Sequence, residues 1–363
     1  MKLNKFWLLA TMLVFMLVLA ACGNGDDGAE EGTDSEDADT TEEATEEGTE
    51  TEGESEDGEA ESSNGDAEAE GETPDFLTLL TGGTSGTYYP LGGEMASNIG
   101  NETGIQTDAL SSNASADNII DLQNGEADLA MVQTDTIAQA VEGAGAFEGE
   151  AVDNVLAMGS IYPETVQIVT TADSVIESVE DLEGMTVSVG APGSGTFYNA
   201  EQILEIHGLS LDDIDAQNLD FGESTGGIQD GNIDAAIITG GTPTGAVEEL
   251  TATVDVRVLP IEQERIDELI EQYPFYAEDT VESGTYGIDE DVTTVAVLAM
   301  IAVSDSLSED VVYDITAAIY ENTESMAHAR AEDITIDSAL DGVGVDMHPG
   351  AERYFDEQGV SAE

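Results

Sequence analysis

The sequence predicts an α/β protein of two similar lobes, each a mostly parallel sheet flanked by helices. Two repeats carry this prediction. The sequence SGTYY at residues 85–89 returns as SGTFY at 194–198, and GEADLAMV at 125–132 returns as GNIDAAII at 231–238. The repeated elements are spaced by about forty residues in both halves. Each half is therefore predicted to form a strand, a glycine-rich loop, a helix and a later strand, so that two helix N-termini line a cleft.

The first residues predict export. Lys2 and Lys5 precede an apolar stretch over residues 6–19, and its length of about fourteen residues is that of a signal-peptide core rather than a spanning helix. The stretch ends in the sequence LAAC at residues 19–22. This ending resembles a lipobox, so residues 1–21 are expected to be removed and Cys22 to carry a lipid. The alternative is an ordinary secretory signal followed by a chance cysteine.

Residues 22–75 are predicted to be a lipidated cysteine followed by a disordered acidic tether. Beyond the cysteine the segment contains almost only acids, Gly, Ser, Thr, Ala and Asn, and such a composition buries too little apolar surface to offset its ordering entropy. Its like charges extend it. A role in binding cations or a partner is the alternative, although nothing local supports it.

The charge of the chain predicts a salt-adapted protein that does not bind nucleic acid. The 363 residues carry 80 acids against six lysines and arginines, for a net charge of -74. Once the signal is removed, the only bases left are Arg257, Arg265, Arg330 and Arg353. Molar salt shortens the Debye length to about 3 Å and screens the resulting repulsion, which indicates a halophilic source. No basic patch exists to neutralise phosphates.

The elements of the first lobe follow in order. Residues 76–81 are an apolar strand before the loop, and residues 88–99 show helical spacing. Asn113 or Ser115 is predicted to cap a second helix, which Gly125 ends, and residues 128–132 form a buried strand. Residues 158–170 are the candidate first crossover strand between the lobes. These lengths predict lobe I over residues 76–165.

The second lobe repeats the pattern over residues 166–289. A strand at residues 185–190 precedes the loop APGSGT at 191–196, and a helix follows to His207. The apolar run 295–303 is predicted to cross back, and a C-terminal helix over 309–328 completes lobe I, which therefore also contains residues 290–363.

Several segments in order resemble one family. The sequence TGGTSGTYYPLGG at residues 81–93 is similar to the opening signature of the TAXI family, the solute-binding proteins of tripartite ATP-independent periplasmic (TRAP) transporters. VGAPGSGT at 189–196, GGTPT at 240–244 and DVRVLPI at 255–261 resemble further segments of that family. The resemblance implies a periplasmic-binding-protein-like fold (type II) with the ligand in the interlobe cleft. It also implies that the ligand is a small organic anion, glutamate or another carboxylate. The protein would deliver this ligand to a TRAP permease, whose transport is driven by an ion gradient.

The resemblance also implies a set of ligand-binding residues in the two lobes. Lobe I is expected to offer Gly83, Thr84, Ser85, Tyr88, Ser112, Asn113, Gln133 and Asp135. Lobe II is expected to offer Ser194, Gly195, Thr196, Gly241, Thr242 and Pro243. The sequence LSSN at 110–113 departs from the family wording at Ser112 and Asn113. Helix N-termini hold a carboxylate without a cation, which suits a chain this poor in bases.

Structural roles compete with ligand contact at several of these positions. The sequence Gly-Ser-Gly-Thr after a strand is often only a turn and a helix cap, and Tyr88 is equally well a core aromatic. Asp128 and Asp234 precede buried strands and are predicted to serve turns. Arg257 lies in a strand and is predicted to pair within the protein rather than to anchor an anion.

The remaining function classes are excluded or left as alternatives. No Walker loop is present, and the one cysteine of the chain is the expected lipid site, so we expect no enzyme and no cofactor. The three histidines lack metal-ligand spacing, and no metal site is expected. We expect a monomer, exported and lipid-anchored to the outer face of the cell membrane. A binding protein that feeds an ABC importer, or a ligand sensor for a signalling partner, is the alternative.

Overall fold

The computed structural model describes residues 73–361 as alternating strands and helices. The strands are β1 (Phe76–Leu80), β2 (Gln106–Leu110), β3 (Leu129–Gln133), β4 (Val155–Thr171), β5 (Thr186–Ser188), β6 (Asp215–Gln217), β7 (Ala235–Gly240), β8 (Val256–Leu259), β9 (Ala277–Val281) and β10 (Val292–Ser304). The helices are α1 (Tyr88–Thr103), α2 (Ser115–Gln123), α3 (Thr134–Glu142), α4 (Gly195–Ile206), α5 (Phe221–Asp230), α6 (Gly245–Thr251), α7 (Gln263–Gln272), α8 (Glu309–Tyr320) and α9 (Pro349–Gln358).

The predictions for the signal peptide and Cys22 lie outside the described residues, as does nearly all of the tether. Within the described range, no helix combines the length and the apolar character that crossing a bilayer requires.

Two long strands join the halves of the molecule. β4 and β10 pair antiparallel along most of their length, as the predicted crossover strands require. β3 extends the sheet beyond β10 and β7 extends it beyond β4, giving the order β2-β1-β3-β10-β4-β7-β5-β6 in a ten-stranded mixed sheet. β8 pairs with β4 and β9 with β10. The predicted α/β fold, with two lobes and two crossovers, is thus confirmed. The exact lobe boundaries stay a prediction, because the sheet runs continuously through both lobes.

The sequence repeat is also a repeat of topology. In the first half β1 lies parallel between β2 and β3, and in the second half β5 lies parallel between β6 and β7. The carboxylate of Asp128 accepts a hydrogen bond from the Thr78 N–H at 2.8 Å, and Asp234 accepts one from the Thr186 N–H at 2.8 Å. Both aspartates therefore tie a turn to the neighbouring strand, which is the role predicted for them.

Each half buries apolar side chains on both faces of its sheet. In the first half, Leu79 and Met131 pack against α1 and α8, while Val132 packs with α2 residues on the other face. Strands covered on both faces are expected where helices flank a parallel sheet. The strand ends of this sheet position the loops described next.

The start of α2 differs from the prediction. Neither Asn113 nor Ser115 occupies the cap position, which belongs to Ala114 with φ 73° and ψ -154° and without a side-chain cap. Ser115 is instead the first helical residue, and its hydroxyl accepts a hydrogen bond from the Gln133 N–H. The N–H groups of Ala116 and Asp117 donate to the Gly193 carbonyl of the opposite lobe. The local sequence alone therefore does not determine where this helix begins.

The predicted C-terminal helix over 309–328 is wrong beyond Tyr320. α8 ends there because the following segment folds onto α1. The Asn98 side-chain amide donates to the Asn322 carbonyl, and the Glu94 carboxylate accepts hydrogen bonds from the N–H groups of Ala327 and His328. These tertiary bonds replace the helical ones.

Candidate functional site

The two repeated loops face one cavity of about 360 Å³ between the lobes. This volume is within the range of small-molecule sites. The first loop connects β1 to α1 and the second connects β5 to α4. The wall comprises Gly82, Gly83, Thr84, Gly86, Thr87, Tyr88, Ser111, Ser112, Asn113, Ala114, Ser115, Gln133, Glu164, Ala191, Ser194, Gly195, Thr196, Asp220, Phe221, Thr239 and Gly240.

Several helices begin at this cavity. The first residues of α1, α2, α4 and α5, which are Tyr88, Ser115, Gly195 and Phe221, all belong to its wall. A helix N-terminus carries a partial positive charge that favours an anion. At α2 the Ala116 and Asp117 N–H groups already donate to the Gly193 carbonyl, and α5 is capped by the Asp220 carboxylate. Among the residues that line the cavity in the described part of the chain, none is a lysine, arginine or histidine. The positive potential therefore comes from the backbone.

Each glycine-rich loop also bonds to the opposite lobe. The Ser85 carbonyl accepts a hydrogen bond from the Ala246 N–H at the start of α6, at 3.0 Å. The Gly193 carbonyl accepts hydrogen bonds from the Ala116 and Asp117 N–H groups at the start of α2, at 3.0 and 3.4 Å. The two loops thus satisfy helix N–H groups that would otherwise lack partners. This reciprocal contact brings the lobes together over the cavity.

Glycine at position 195 allows the close approach of the second loop to the first lobe. A Cβ placed on Gly195 would overlap the side-chain oxygen of Gln133 and come within 3.0 Å of the Ser115 hydroxyl. Ser194 lies one position earlier, and its hydroxyl caps α4 by accepting a hydrogen bond from the Phe197 N–H at 3.2 Å. The cap predicted for this serine is therefore present, and the residue also belongs to the cavity wall.

Glu164 of β4 lies at the floor of the cavity and is 3% exposed. The Tyr88 hydroxyl donates to its Oε2 at 3.1 Å, and the Tyr162 hydroxyl donates to its Oε1 at 3.3 Å. Burial raises the pKa of the Glu164 carboxyl to about 8, although these hydrogen bonds and the Gln133 amide oppose the shift. Burial likewise raises the pKa of both tyrosines. The floor is therefore a polar cluster without a cation.

Two polar atoms of the wall have no protein partner. The Thr239 hydroxyl and the Gln133 amide oxygen are buried, and neither forms a hydrogen bond within the described chain. Buried polar groups are nearly always paired, so unpaired ones call for an explanation. Because both residues line the cavity, an acceptor oxygen of a ligand would pair with the Thr239 hydroxyl, whereas the Gln133 oxygen requires a donor.

Most of the predicted site residues are brought together in this wall. They are Gly83, Thr84, Tyr88, Ser112, Asn113, Gln133, Ser194, Gly195 and Thr196. Tyr88 combines the two roles considered for it, because its ring packs in the core at 6.4 Å from Tyr162 while its hydroxyl reaches Glu164.

The structure does not bring Ser85, Asp135, Gly241, Thr242 or Pro243 to the wall. The Ser85 carbonyl accepts a hydrogen bond from the Ala246 N–H of α6, and Gly241 packs against the Arg330 side chain. Asp135 is buried behind the wall, where it accepts a hydrogen bond from the Asn199 amide of the other lobe at 3.0 Å. Burial raises its pKa to about 6. Thr242 and Pro243 follow the end of β7, beyond Thr239 and Gly240, which do line the cavity.

Sequence reasoning missed Glu164, Thr239 and Phe221. A usable signal existed for the first, because an acid inside a strand that is otherwise buried is unusual unless it has a specific role. Thr239 directly follows the repeated segment 231–238, so the GGTPT segment at 240–244 is next to this residue but does not include it. Phe221 begins α5 and gave no local signal.

Arg257 does not form the ion pair predicted for it. Its guanidinium donates to the carbonyls of Ala172, Ser174 and Ile176 at 2.8, 3.1 and 2.7 Å. A broad depression of about 910 Å³ surrounds it. The guanidinium is thus used to hold a loop, and Glu248, Asp255, Asp289 and Glu290 line the same depression.

Several solved structures are similar to this chain at low sequence identity. The alkanesulfonate-binding protein SsuA from Xanthomonas axonopodis pv. citri, bound to MOPS, is 16% identical over 79% of this chain and 85% of its own, with a TM-score of 0.47. PhnD1 from Prochlorococcus marinus, in complex with methylphosphonate, is 9% identical over 72% and 88%, with a TM-score of 0.48. A substrate-binding protein of an amino acid ABC transporter is 14% identical over 69% and 94%, with a TM-score of 0.43.

The family assignment rests on the sequence itself. The model of the NMT1-like family matches residues 79–359, which begin in β1 and extend just past the end of α9. The match thus includes both repeated loops, both crossover strands and every residue of the cavity wall. The chain belongs to the NMT1-like family.

Proposed function

We propose that this protein captures a small organic anion outside the cell membrane and delivers it to a transport permease. The cavity carries the proposal. Its wall combines the N-termini of α1, α2, α4 and α5 with hydroxyl groups, and no cationic side chain lines it within the described residues. Helix N-termini bind carboxylates and related anions, and the unpaired Thr239 hydroxyl can donate a further hydrogen bond. A carboxylate group fits these requirements, and the family resemblance suggests glutamate or another carboxylate as the ligand.

The export signal and Cys22 support an extracytoplasmic, lipid-anchored location. The class of permease is a separate question. The TAXI resemblance favours a TRAP permease, whereas the similar solved structures whose descriptions name a transporter name ABC systems. The comparisons thus agree better with the ABC importer. Uptake of labelled ligand by intact cells separates the two, because an ionophore that collapses the ion gradient stops TRAP transport while ATP depletion stops an ABC importer.

The Thr239→Val variant tests the capture of an anion directly. In the ligand-free protein the substitution removes a buried hydroxyl that has no partner, so we expect the melting temperature to rise. With ligand, the loss of a hydrogen bond to a charged group weakens binding about tenfold or more. Calorimetric titration of the full chain in molar salt, with succinate, aspartate, glutarate and glutamate as probes, measures the second effect.

Thr316→Val is the matched control. Thr316 is also a fully buried threonine, but its hydroxyl donates to the Val312 carbonyl at 2.7 Å and lies away from the cavity. This variant should lose stability and keep its affinity. Binding that is unchanged in Thr239→Val, or the absence of binding by any carboxylate probe in the wild-type protein, would contradict the proposed function.

A further inference from the structure

Glu164 is the buried ionisable carboxyl of the cavity wall. The other acid there is Asp220, which is exposed and whose carboxylate caps α5 by accepting a hydrogen bond from the Glu223 N–H at 2.8 Å. Glu164 lies on the crossover strand β4, at the floor between the two lobes. A ligand held by the helix N-termini therefore shares a cavity of about 360 Å³ with this carboxyl.

The groups around Glu164 come from each element packed against it. Tyr88 of α1 and Tyr162 of β4 donate to its two oxygens, and the Gln133 amide at the end of β3 also faces it. Asp135 of α3 adds a second negative group close enough to disfavour its ionised form. Arg330, whose charge reaches Tyr162, forms its ion pair with Asp333 at 2.9 Å and forms none with Glu164 within the described residues.

An ionised Glu164 is incompatible with an anion in the same cavity. Two like charges in a buried space repel strongly, and the described wall of the cavity contains no cationic side chain to offset them. The neutral acid has the opposite effect, because its O–H group can donate a hydrogen bond to a ligand oxygen. An apolar, buried site can keep a carboxylic acid neutral for this purpose.

We propose that Glu164 binds the ligand as a neutral acid that donates a hydrogen bond to an oxygen of the anion, so that ligand and proton are captured together. The inference rests on the proposed function and narrows its substrate class. The ligand must place an acceptor oxygen at the floor and no ammonium group there, because an ammonium would require the ionised form of Glu164. Matched pairs that differ by one ammonium group, succinate with aspartate and glutarate with glutamate, separate the two classes.

The test is the pH dependence of binding in the full chain. Wild-type affinity for the tightest carboxylate probe should be constant near pH 7 and should fall toward tenfold per pH unit above about pH 8. Titrations in two buffers that differ in ionisation enthalpy should show proton uptake by the complex between pH 8 and 9. Glu164→Gln has no ionisable group at this position, so the affinity of this variant should not change between pH 7 and 9.

Asp121→Asn is the control for the pH slope. Asp121 also has a raised pKa, but it lies on α2 outside the cavity wall. This variant should keep the wild-type slope. A wild-type affinity that does not change with pH, or proton release on binding together with tighter binding of the ammonium-bearing probe, would overturn the inference while leaving anion capture intact. If no probe binds wild type at any pH, the proposed function fails and the inference fails with it.

Discussion

At the residue scale, the floor of the cavity is unfavourable for the stability of the fold at high pH. Glu164 is held neutral in the folded protein, with a pKa of about 8, whereas an ordinary glutamate ionises near pH 4.5. The contribution of neutral Glu164 to the free energy of unfolding is present in full below the ordinary glutamate pKa of 4.5. It is lost as the pH rises from 4.5 through about 8. The buried Asp135, with a pKa of about 6, acts in the same direction over a narrower range.

Glu164→Gln should therefore be more stable than the wild-type protein at alkaline pH. The difference in the free energy of unfolding should grow by up to about 1.4 kcal/mol per pH unit between pH 5 and 8 and then level off. Urea unfolding in molar salt at several pH values measures it. Stability curves that stay parallel for the two proteins would show that Glu164 is ionised in the folded state.

The same residue shows what the sequence could and could not reveal. Gly83, Ser194 and Thr196 were expected in the site because of the family resemblance, and the repeat of their loops between a strand and a helix supports the same position. The role of Glu164 depends on Tyr88 and Tyr162, which meet it only after α1 packs on the crossover strand. A contact that depends on the packing of a helix against a strand leaves no local pattern in the sequence.

At the element scale, the start of α2 stores strain at the cavity. Ala114 occupies φ 73° and ψ -154°, a region that is essentially confined to glycine and costs of order 1–3 kcal/mol for other residues. Its neighbouring helix N–H groups are satisfied by the Gly193 carbonyl of the opposite lobe. The strained residue thus lies where the two lobes meet.

Ala114→Gly should stabilise the protein by about 1 kcal/mol, because relief of strain exceeds the added entropy of a glycine in the unfolded chain. Ala317→Gly, in the regular helix α8, should destabilise it by about 1 kcal/mol. Thermal unfolding of both variants measures the two effects. A loss of stability in Ala114→Gly equal to that in Ala317→Gly would show that position 114 is unstrained.

Elements with a strong periodic pattern were predictable, and elements fixed by tertiary bonds were not. The crossover strands and α1 follow from apolar spacing. The end of α8 at Tyr320 depends instead on Glu94 and Asn98, which hold the following segment against α1. A helical pattern therefore continued in the sequence after the helix had ended in the fold.

At the scale of the whole molecule, acidic charge dominates. The arginines of the described range are already engaged: Arg265, Arg330 and Arg353 pair with neighbouring acids, and Arg257 holds backbone carbonyls. With a net charge of -74 over the chain, most carboxylates have no cationic partner. Their mutual repulsion disfavours the compact state unless salt screens it.

The free energy of unfolding should accordingly rise as salt is increased from about 0.1 M to the molar range, where the Debye length falls from about 10 to 3 Å. Urea unfolding in sodium chloride and in potassium chloride measures this, and equal effects of the two salts indicate screening rather than binding of one ion. A stability that does not change with salt would contradict the halophilic interpretation of the charge.

The central claim is that an anion binds between the two repeated loops, and calorimetric titration of the Gly195→Ala variant tests it most directly. The added methyl group would overlap the Gln133 side-chain oxygen, so either this wall side chain or the second loop must move. Gly226→Ala is the control, because a Cβ on this α5 glycine meets no atom within 4 Å. We predict that a carboxylate probe binds wild type and Gly226→Ala equally and binds Gly195→Ala at least about tenfold more weakly. Equal binding by all three proteins would place the ligand elsewhere and contradict the account.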